Sequence, residues 1–279
     1  MNRYACIAAL AAGSLAIGAC HRQPQGAEDT SDTAQRADVA NTARGTLQPG
    51  GTDRVALAGQ GDKGNCGQLP NARQLQQWLA QVPNQGEVGG LAGGQHEWAA
   101  VVDRNGRLCV ITTDDADPSA PWPGSQGIAK AKAFTANAFS SDQVPMSTAR
   151  LYTMSQPGRS LWGAGAGDPL NPKCLNPPDK AGGVGEFCGG VITFGGGVPL
   201  YRNQTRVGGL GLSGDTPCAD HEIAKRIRTA AKLDPAKGPT ADDITYSGVD
   251  GPSVYSHPLC PNTWRNGKKI GDAPPAQGY

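Results

Sequence analysis

The sequence predicts an α+β domain built on a five-stranded antiparallel sheet with flanking helices. Three observations carry this. Residues 97–103 and 107–113 (EWAAVVD and RLCVITT) are strand-like runs around Arg104-Asn105-Gly106, and an Asn-Gly turn is a strong hairpin signal. Three further stretches place apolar residues at helical spacing. The order of elements is helix, two strands, helix, long loop, three strands, helix; its short strand-to-strand connections favour antiparallel pairing over a βαβ arrangement.

The N-terminal segment stands outside that domain. Arg3 supplies a positive start, and the 14 apolar or small residues from Ala5 to Gly18 are too few for a membrane-spanning helix. They end in Ile17-Gly18-Ala19-Cys20, which resembles a bacterial lipobox. The expectation is a signal peptide over 1–19, lipidation of Cys20, and location in the bacterial periplasm, anchored to a membrane, the outer one being expected. Residues 20–65 are poor in large apolar side chains and read as a disordered tether. Gly (40) and Pro (22) make up about a fifth of the 279 residues, so the domain is expected to be loop-rich. A formal charge of +1 argues against a nucleic-acid partner, because phosphate neutralisation needs a basic excess.

The domain is expected over 66–233. Leu75, Trp78, Leu79 and Val82 share a face in a helix over 70–82 that ends at Pro83. The second helix, over 125–140, puts Ile128, Ala131, Phe134 or Thr135, Ala138 and Phe139 on one face, with Ala residues allowing close approach to a sheet. Six prolines punctuate 141–190, which reads as a long connection with a short helix near 147–154. Strands follow over 189–194, 197–203 and 205–213. A third helix over 217–232 turns Ile223, Ala224, Ile227 and Ala231 inward, with Pro217 and Asp220 suiting its first turn. The Pro- and Gly-rich tail over 234–279 is expected to pack on the domain.

Six cysteines remain beyond Cys6 and Cys20: Cys66, Cys109, Cys174, Cys188, Cys218 and Cys260. An even number in an exported chain points to disulfides, and no C-x-x-C or paired-His spacing supports a metal site instead. Six cysteines allow 15 connectivities. Spacing suggests Cys174–Cys188, Cys218–Cys260 and Cys66–Cys109.

The Phe194-to-Leu200 run (FGGGVPL), the strand Val207 to Gly214 (VGGLGLSG), the acidic helix start after it, and AKAKAFTANAFS at 129–140 together resemble the GlcG/HbpS family of haem-binding and haem-degradation-associated proteins. The resemblance covers roughly 70–232, with an enlarged cysteine-bearing insert over 150–190. It implies a profilin-like or PAS-like fold, assembly into homo-oligomers, and haem or a related small molecule as ligand.

Chemistry is sparse. Gly209 to Gly214 matches G-x-G-x-x-G, with Asp234 twenty residues on, but Pro235, Gly238 and Pro239 replace the second strand that a dinucleotide fold needs. Close packing of strand on helix explains these glycines better. No C-x-x-C-H attaches haem covalently, and G-x-S-x-G and H-E-x-x-H are missing. Asp114, Asp115 and Asp117 lack the Gly and Glu of a calcium loop. For non-covalent haem, His221 and His96 are the candidate iron donors, followed by Met146, Met154 and Tyr152. The ligand cleft is expected between the turn of Gly195, Gly196, Gly197 and Pro199 and the second helix at Lys130, Lys132 and Phe134, the lysines meeting carboxylates. The functional expectation is an extracytoplasmic small-ligand-binding protein, with haem first. The alternative is a non-catalytic oligomeric accessory module for a periplasmic redox enzyme or sensor.

Overall fold

The computed structural model describes residues 58–60, 64–120 and 122–275; the expected signal peptide, Cys20 and most of the expected tether lie outside the described residues. The elements are β1 (Ala58–Gln60), α1 (Ala72–Gln81), β2 (Trp98–Asp103), β3 (Leu108–Thr113), α2 (Ser125–Ala138), a short α3 (Ala164–Gly167), β4 (Gly197–Arg202), β5 (Thr205–Ser213) and α4 (Pro217–Ala230). In the tail, β6 (Thr245–Tyr246) pairs with β7 (Ser256–His257), and β8 (Thr263–Arg265) with β9 (Lys268–Gly271).

The main sheet has five antiparallel strands in the order β1-β3-β2-β5-β4, confirming the α+β class. Alternation along β2 shows why both faces are covered. Ala99 and Val101 join Leu75 and Leu79 of α1 and Ile223 and Ile227 of α4 in one apolar cluster. Trp98, Ala100 and Val102 join Ala129 and Ala133 of α2 and the insert cysteines Cys174 and Cys188 in another. A sheet buried on both sides reads as continuous apolar sequence, and every residue of β2 and β3 is buried.

Local chemistry sets the boundaries. Asn71 caps α1, accepting from the Gln74 N–H while the Gln74 side chain accepts from the Asn71 N–H, a full capping box. Thr216 caps α4 through Ala219, with Pro217 in the first turn. In the β2–β3 hairpin, Gly106 donates to the Asp103 carbonyl (2.9 Å), and Asp103 Oδ1 accepts from the Asn105 and Arg107 N–H groups. Gly106, at φ 92°, supplies the positive dihedral, so Arg104 and Asn105 form the turn and the glycine closes it.

Three expectations are corrected. Residues 189–194 do not form a strand: Thr135 Oγ1 of α2 donates to the Gly190 carbonyl (3.1 Å) and accepts from the Ile192 N–H (3.0 Å), so a helix side chain takes hydrogen bonds that a neighbouring strand would have made. The fifth strand is β1, which pairs with Val110 to Thr112 from within the span read as tether. The face of α2 that meets the sheet is Ala129, Ala133 and Ala136, not the larger Ile128 and Phe134, which are half-buried on the other side, while Ala138 is exposed. Small residues win because the helix backbone lies almost on the strand. A Cβ at Gly211 would stand 2.1 Å from the Ala129 carbonyl oxygen, and one at Gly209 would stand 2.2 Å from that of Ala133. The G-x-G-x-x-G stretch is thus a packing device.

The disulfides are Cys66–Cys109, Cys174–Cys188 and Cys218–Cys260. The tail packs on α4 through the last of these and through Arg228, which is fully buried and holds both oxygens of Asp242 (2.7 and 2.9 Å). Among the described residues no helix is long and apolar enough to cross a membrane.

Gly211→Ala must push α2 off the sheet. Overpacking of this kind costs about 1–3 kcal/mol. The expected outcome is a melting temperature lower by roughly 2–4 °C per kcal/mol lost, measured by thermal circular dichroism; an unchanged melting temperature contradicts the contact.

Candidate functional site

The expected cleft is filled with protein. Gly195 and Gly197 are packed so that added Cβ atoms would meet the Pro217 carbonyl (2.2 Å) and the Thr148 side chain (2.5 Å). Gly196 adopts φ 114° against Lys132 and Asp220. Lys132 does not reach toward a ligand: with no exposure, its Nζ donates to Asp220 Oδ2 (2.6 Å) and the Leu212 carbonyl (2.9 Å) and sits 5.0 Å from the Phe194 ring centre. Lys130 is equally buried, donating to Gln126 Oε1, the Cys174 carbonyl and Asn176 Oδ1. Burial pulls its pKa down to about 8. The alternating lysines of α2 are therefore both enclosed, Lys130 beneath the insert at Cys174 and Asn176, and Lys132 against the end of β5 and the first turn of α4. Pro199 is a buried residue of the edge strand β4 whose carbonyl accepts from Arg228. Phe134 lies half-buried over the Gly106 turn.

Asp220, in the first turn of α4, is the hub of a buried acidic cluster. It accepts from Lys132 and from the Asp215 N–H (2.9 Å), while Asp215 in turn accepts from the Leu91, Ala92 and Gly94 amides. Beside it lies Glu97, 1 % exposed, whose carboxyl oxygens meet no donor among the described residues. Burial, and then the Asp220 charge, push Glu97 well above the usual carboxylate range. A proton retained on Glu97 and held toward Asp220 resolves the juxtaposition, with the ionised partner being the one that Lys132 neutralises. Sequence reasoning missed Glu97, since nothing local marks a residue whose partner is 123 positions away.

The histidines divide by exposure. His221 is fully buried, neither ring nitrogen has a hydrogen-bond partner, and Nε2 stands 3.6 Å from Asp243 Oδ1. His257 is buried, with Nδ1 on the Pro258 carbonyl (2.7 Å), Nε2 accepting from the Gly195 N–H (3.3 Å) and its ring 5.1 Å from that of Tyr152. Burial lowers its pKa to about 4. His96 is different: its side chain is half exposed and its backbone adopts φ 64°. Nδ1 lies 2.9 Å from Asp115 Oδ1, which leaves Nε2 uncommitted. Met146 and Met154 are half-buried in the connection after α2.

Four cavities lie elsewhere. One of about 610 Å³ runs from Cys66 past Trp78 to Arg202, and another of about 490 Å³ lies between Glu222, Arg226 and Thr240. A third, of about 440 Å³, lies beside Tyr201 and Lys237. The most apolar, of about 250 Å³, separates Ile128 and Ala131 of α2 from Leu170, Leu175 and Ile192 of the insert. That is below the roughly 300–1,000 Å³ of typical small-molecule sites. None of these four is lined by a histidine or methionine.

This combination, an antiparallel sheet with helices on both faces and a glycine strand seated against a helix backbone, defines a class of α+β domain. The family follows from the matching segment: residues 90–228 match the HbpS-like family, described as haem degrading protein HbpS-like, and the domain belongs to it. Solved structures similar to the chain include protein ORFY of Klebsiella pneumoniae (19 % identity, covering 67 % of this chain and 98 % of that one, TM-score 0.41). The PduOC:heme complex (25 % identity, 60 % and 91 %, TM-score 0.39) and HbpS (19 % identity, 57 % and 85 %, TM-score 0.36) are also similar. The chain matches no curated protein.

Because Glu97 takes up a proton on folding, its raised pKa makes folding progressively less favourable as pH climbs above the unfolded carboxylate value of about 4.3. Glu97→Gln removes that dependence. Denaturant titrations are therefore expected to show the variant gaining stability relative to the natural chain between pH 5 and pH 8, by about 1.4 kcal/mol for each pH step over which Glu97 alone would have stayed protonated. A constant difference across this range counts against the protonated carboxyl.

Proposed function

We propose that the protein is an exported, lipid-anchored small-ligand-binding member of the HbpS-like family, that it assembles with copies of itself, and that haem is its ligand, taken through His96. Export and anchoring rest on the apolar leader before Cys20 and on six domain cysteines, all disulfide-bonded, which suits an oxidising compartment. The haem reading is supported by the description of the family and by one similar structure named as a haem complex.

The observation that carries the choice of donor is the His96–Asp115 pair. A carboxylate on Nδ1 fixes the tautomer and orients the ring, as carboxylate partners do for metal-bound histidines. Among the described residues His96 is the one histidine that offers a ring nitrogen to solvent. His221 and His257 do not suit the role, because both are enclosed and neither lines one of the four cavities. Bound haem supplies a redox-active iron; the chain supplies a pre-oriented imidazole at the rim of the sheet.

The accessory-module reading is favoured by a separate observation: no apolar cavity of haem size adjoins His96 among the four cavities. A haemin titration followed by Soret absorbance separates the two. The haem reading expects a saturating, stoichiometric shift that His96→Ala abolishes and His221→Ala leaves in place, although His221→Ala lowers stability. A flat titration on folded, disulfide-bonded protein discards haem and moves the accessory-module reading to the front. In cells, Cys20→Ser is expected to release the protein from the membrane fraction, as followed by immunoblot; retention there excludes the anchor.

A further inference from the structure

We propose that the Cys218–Cys260 disulfide is the oxidised form of a soft-metal site, and that the reduced chain binds one Zn²⁺ through the sulfurs of Cys218 and Cys260 and a ring nitrogen of His257. One donor atom from each of the three residues lies within 4.8 Å of the others, and all three residues are buried. Two thiolates and an imidazole are the donor set that zinc selects, and three protein ligands leave its fourth tetrahedral position open.

The surroundings support this pair over the other two. Cys218 is the second residue of the 14-residue helix α4, directly after Pro217, where helix N-termini stabilise a thiolate. His257 is held by its Nδ1 contact with the Pro258 carbonyl, the second-shell arrangement usual for metal-bound histidine, so the donor is Nε2, which exchanges the Gly195 N–H it now accepts for the metal. Ala149, Ile244 and Tyr246 form a dry apolar wall around the two sulfurs. At the Cys66–Cys109 bridge the third donor is Asp103, whose Oδ1 already accepts from two backbone amides of the hairpin turn. No third donor joins Cys174 and Cys188 among the described residues.

The rearrangement is small. With Zn–S near 2.3 Å, two sulfurs at tetrahedral corners stand roughly 3.8 Å apart. Cys260 lies in the connection between β7 and β8, so this separation is taken up there without moving α4. The chemistry balances in two steps. A dithiol reductant gives two electrons and two protons to the disulfide, becoming a disulfide itself and leaving two protein thiols. Zn²⁺ then displaces the two thiol protons and binds as a dithiolate.

The full chain, reduced with a dithiol without denaturant and shown by mass mapping to carry free Cys218 and Cys260, is titrated with Co²⁺ as a spectroscopic stand-in for Zn²⁺. The expected result is a saturating one-to-one thiolate-to-cobalt absorption with strong tetrahedral d–d bands, erased by Zn²⁺ and missing from the oxidised chain. His257→Ala is expected to weaken binding by about tenfold or more. On the unmutated reduced chain, Zn²⁺ is expected to shield Cys218 and Cys260 from alkylation while leaving every other reduced cysteine reactive. A folded, reduced chain with no cobalt band overturns the proposal, as does shielding confined to other cysteines or unchanged affinity in His257→Ala.

Discussion

The domain depends on how closely the backbone of α2 lies on β5. At Gly209 and Gly211 the strand has no side chain, and the carbonyls of Ala133 and Ala129 occupy the space where one would be. Ordinary helix-on-sheet packing keeps the backbones apart by a layer of side chains; here that layer is missing at two strand positions, and alanines supply the rest of the contact. Once α2 is this low, the insert folds over its outer side, and a helix that reads as amphipathic becomes buried nearly all round. Lys130 is buried beneath the insert, and Lys132 between α2, the end of β5 and α4.

Buried charge then needs local answers, and each lysine finds a different one. Lys130 has no carboxylate beside it and is satisfied by a carbonyl and two side-chain amides, at the cost of a depressed pKa. Lys132 meets Asp220, and Asp220 in turn sits against Glu97, so one cation serves two acids and a proton makes up the difference. Such buried pairs are weak contributors to net stability, since desolvation offsets much of the attraction, but breaking one is costly. Here the cluster ties four separate segments, the 91–97 loop, α2, the end of β5 and α4, into one arrangement. Its effect is to specify how those segments meet.

Much of this architecture was legible in the sequence because it rests on local period and punctuation. The hairpin at Gly106, the helix starts at Asn71 and Thr216, and four of the five strands are written within a dozen residues each. The glycine pattern at 209–214 was readable as packing once the missing second strand removed the dinucleotide reading. What escaped depends on distant partners. Residues 189–194 look like a strand and have no strand to pair with, because Thr135 intercepts their backbone. β1 has little strand character and pairs because β3 presents an open edge. Lys132 reads as a ligand-facing position until Asp220, 88 residues later, is placed beside it. The cluster of Glu97, Asp220 and Lys132 is a product of topology alone.

That topology also constrains where function resides. Both faces of the sheet are covered, and the Gly195 to Gly197 turn, where the cleft was expected, is closed by Pro217 and Thr148. The places left are the rim, where His96 stands, and the additions around the family segment. Those additions are covalently held: Cys66 and Cys260 lie outside residues 90–228, and each is bonded to a cysteine inside it. Closing loops of 43 and 42 residues, the two bridges restrict the unfolded chain by similar amounts, about 4 kcal/mol each in the chain-entropy account. They differ in what opening would release. Cys66 precedes a helix that remains clamped between the sheet and α4 by Leu75 and Leu79. Cys260 belongs to a tail of two-stranded pieces, where the bridge to α4 stands beside the His257 imidazole that accepts from the Gly195 N–H, so a change of bonding there reaches α4 and Gly195 at once.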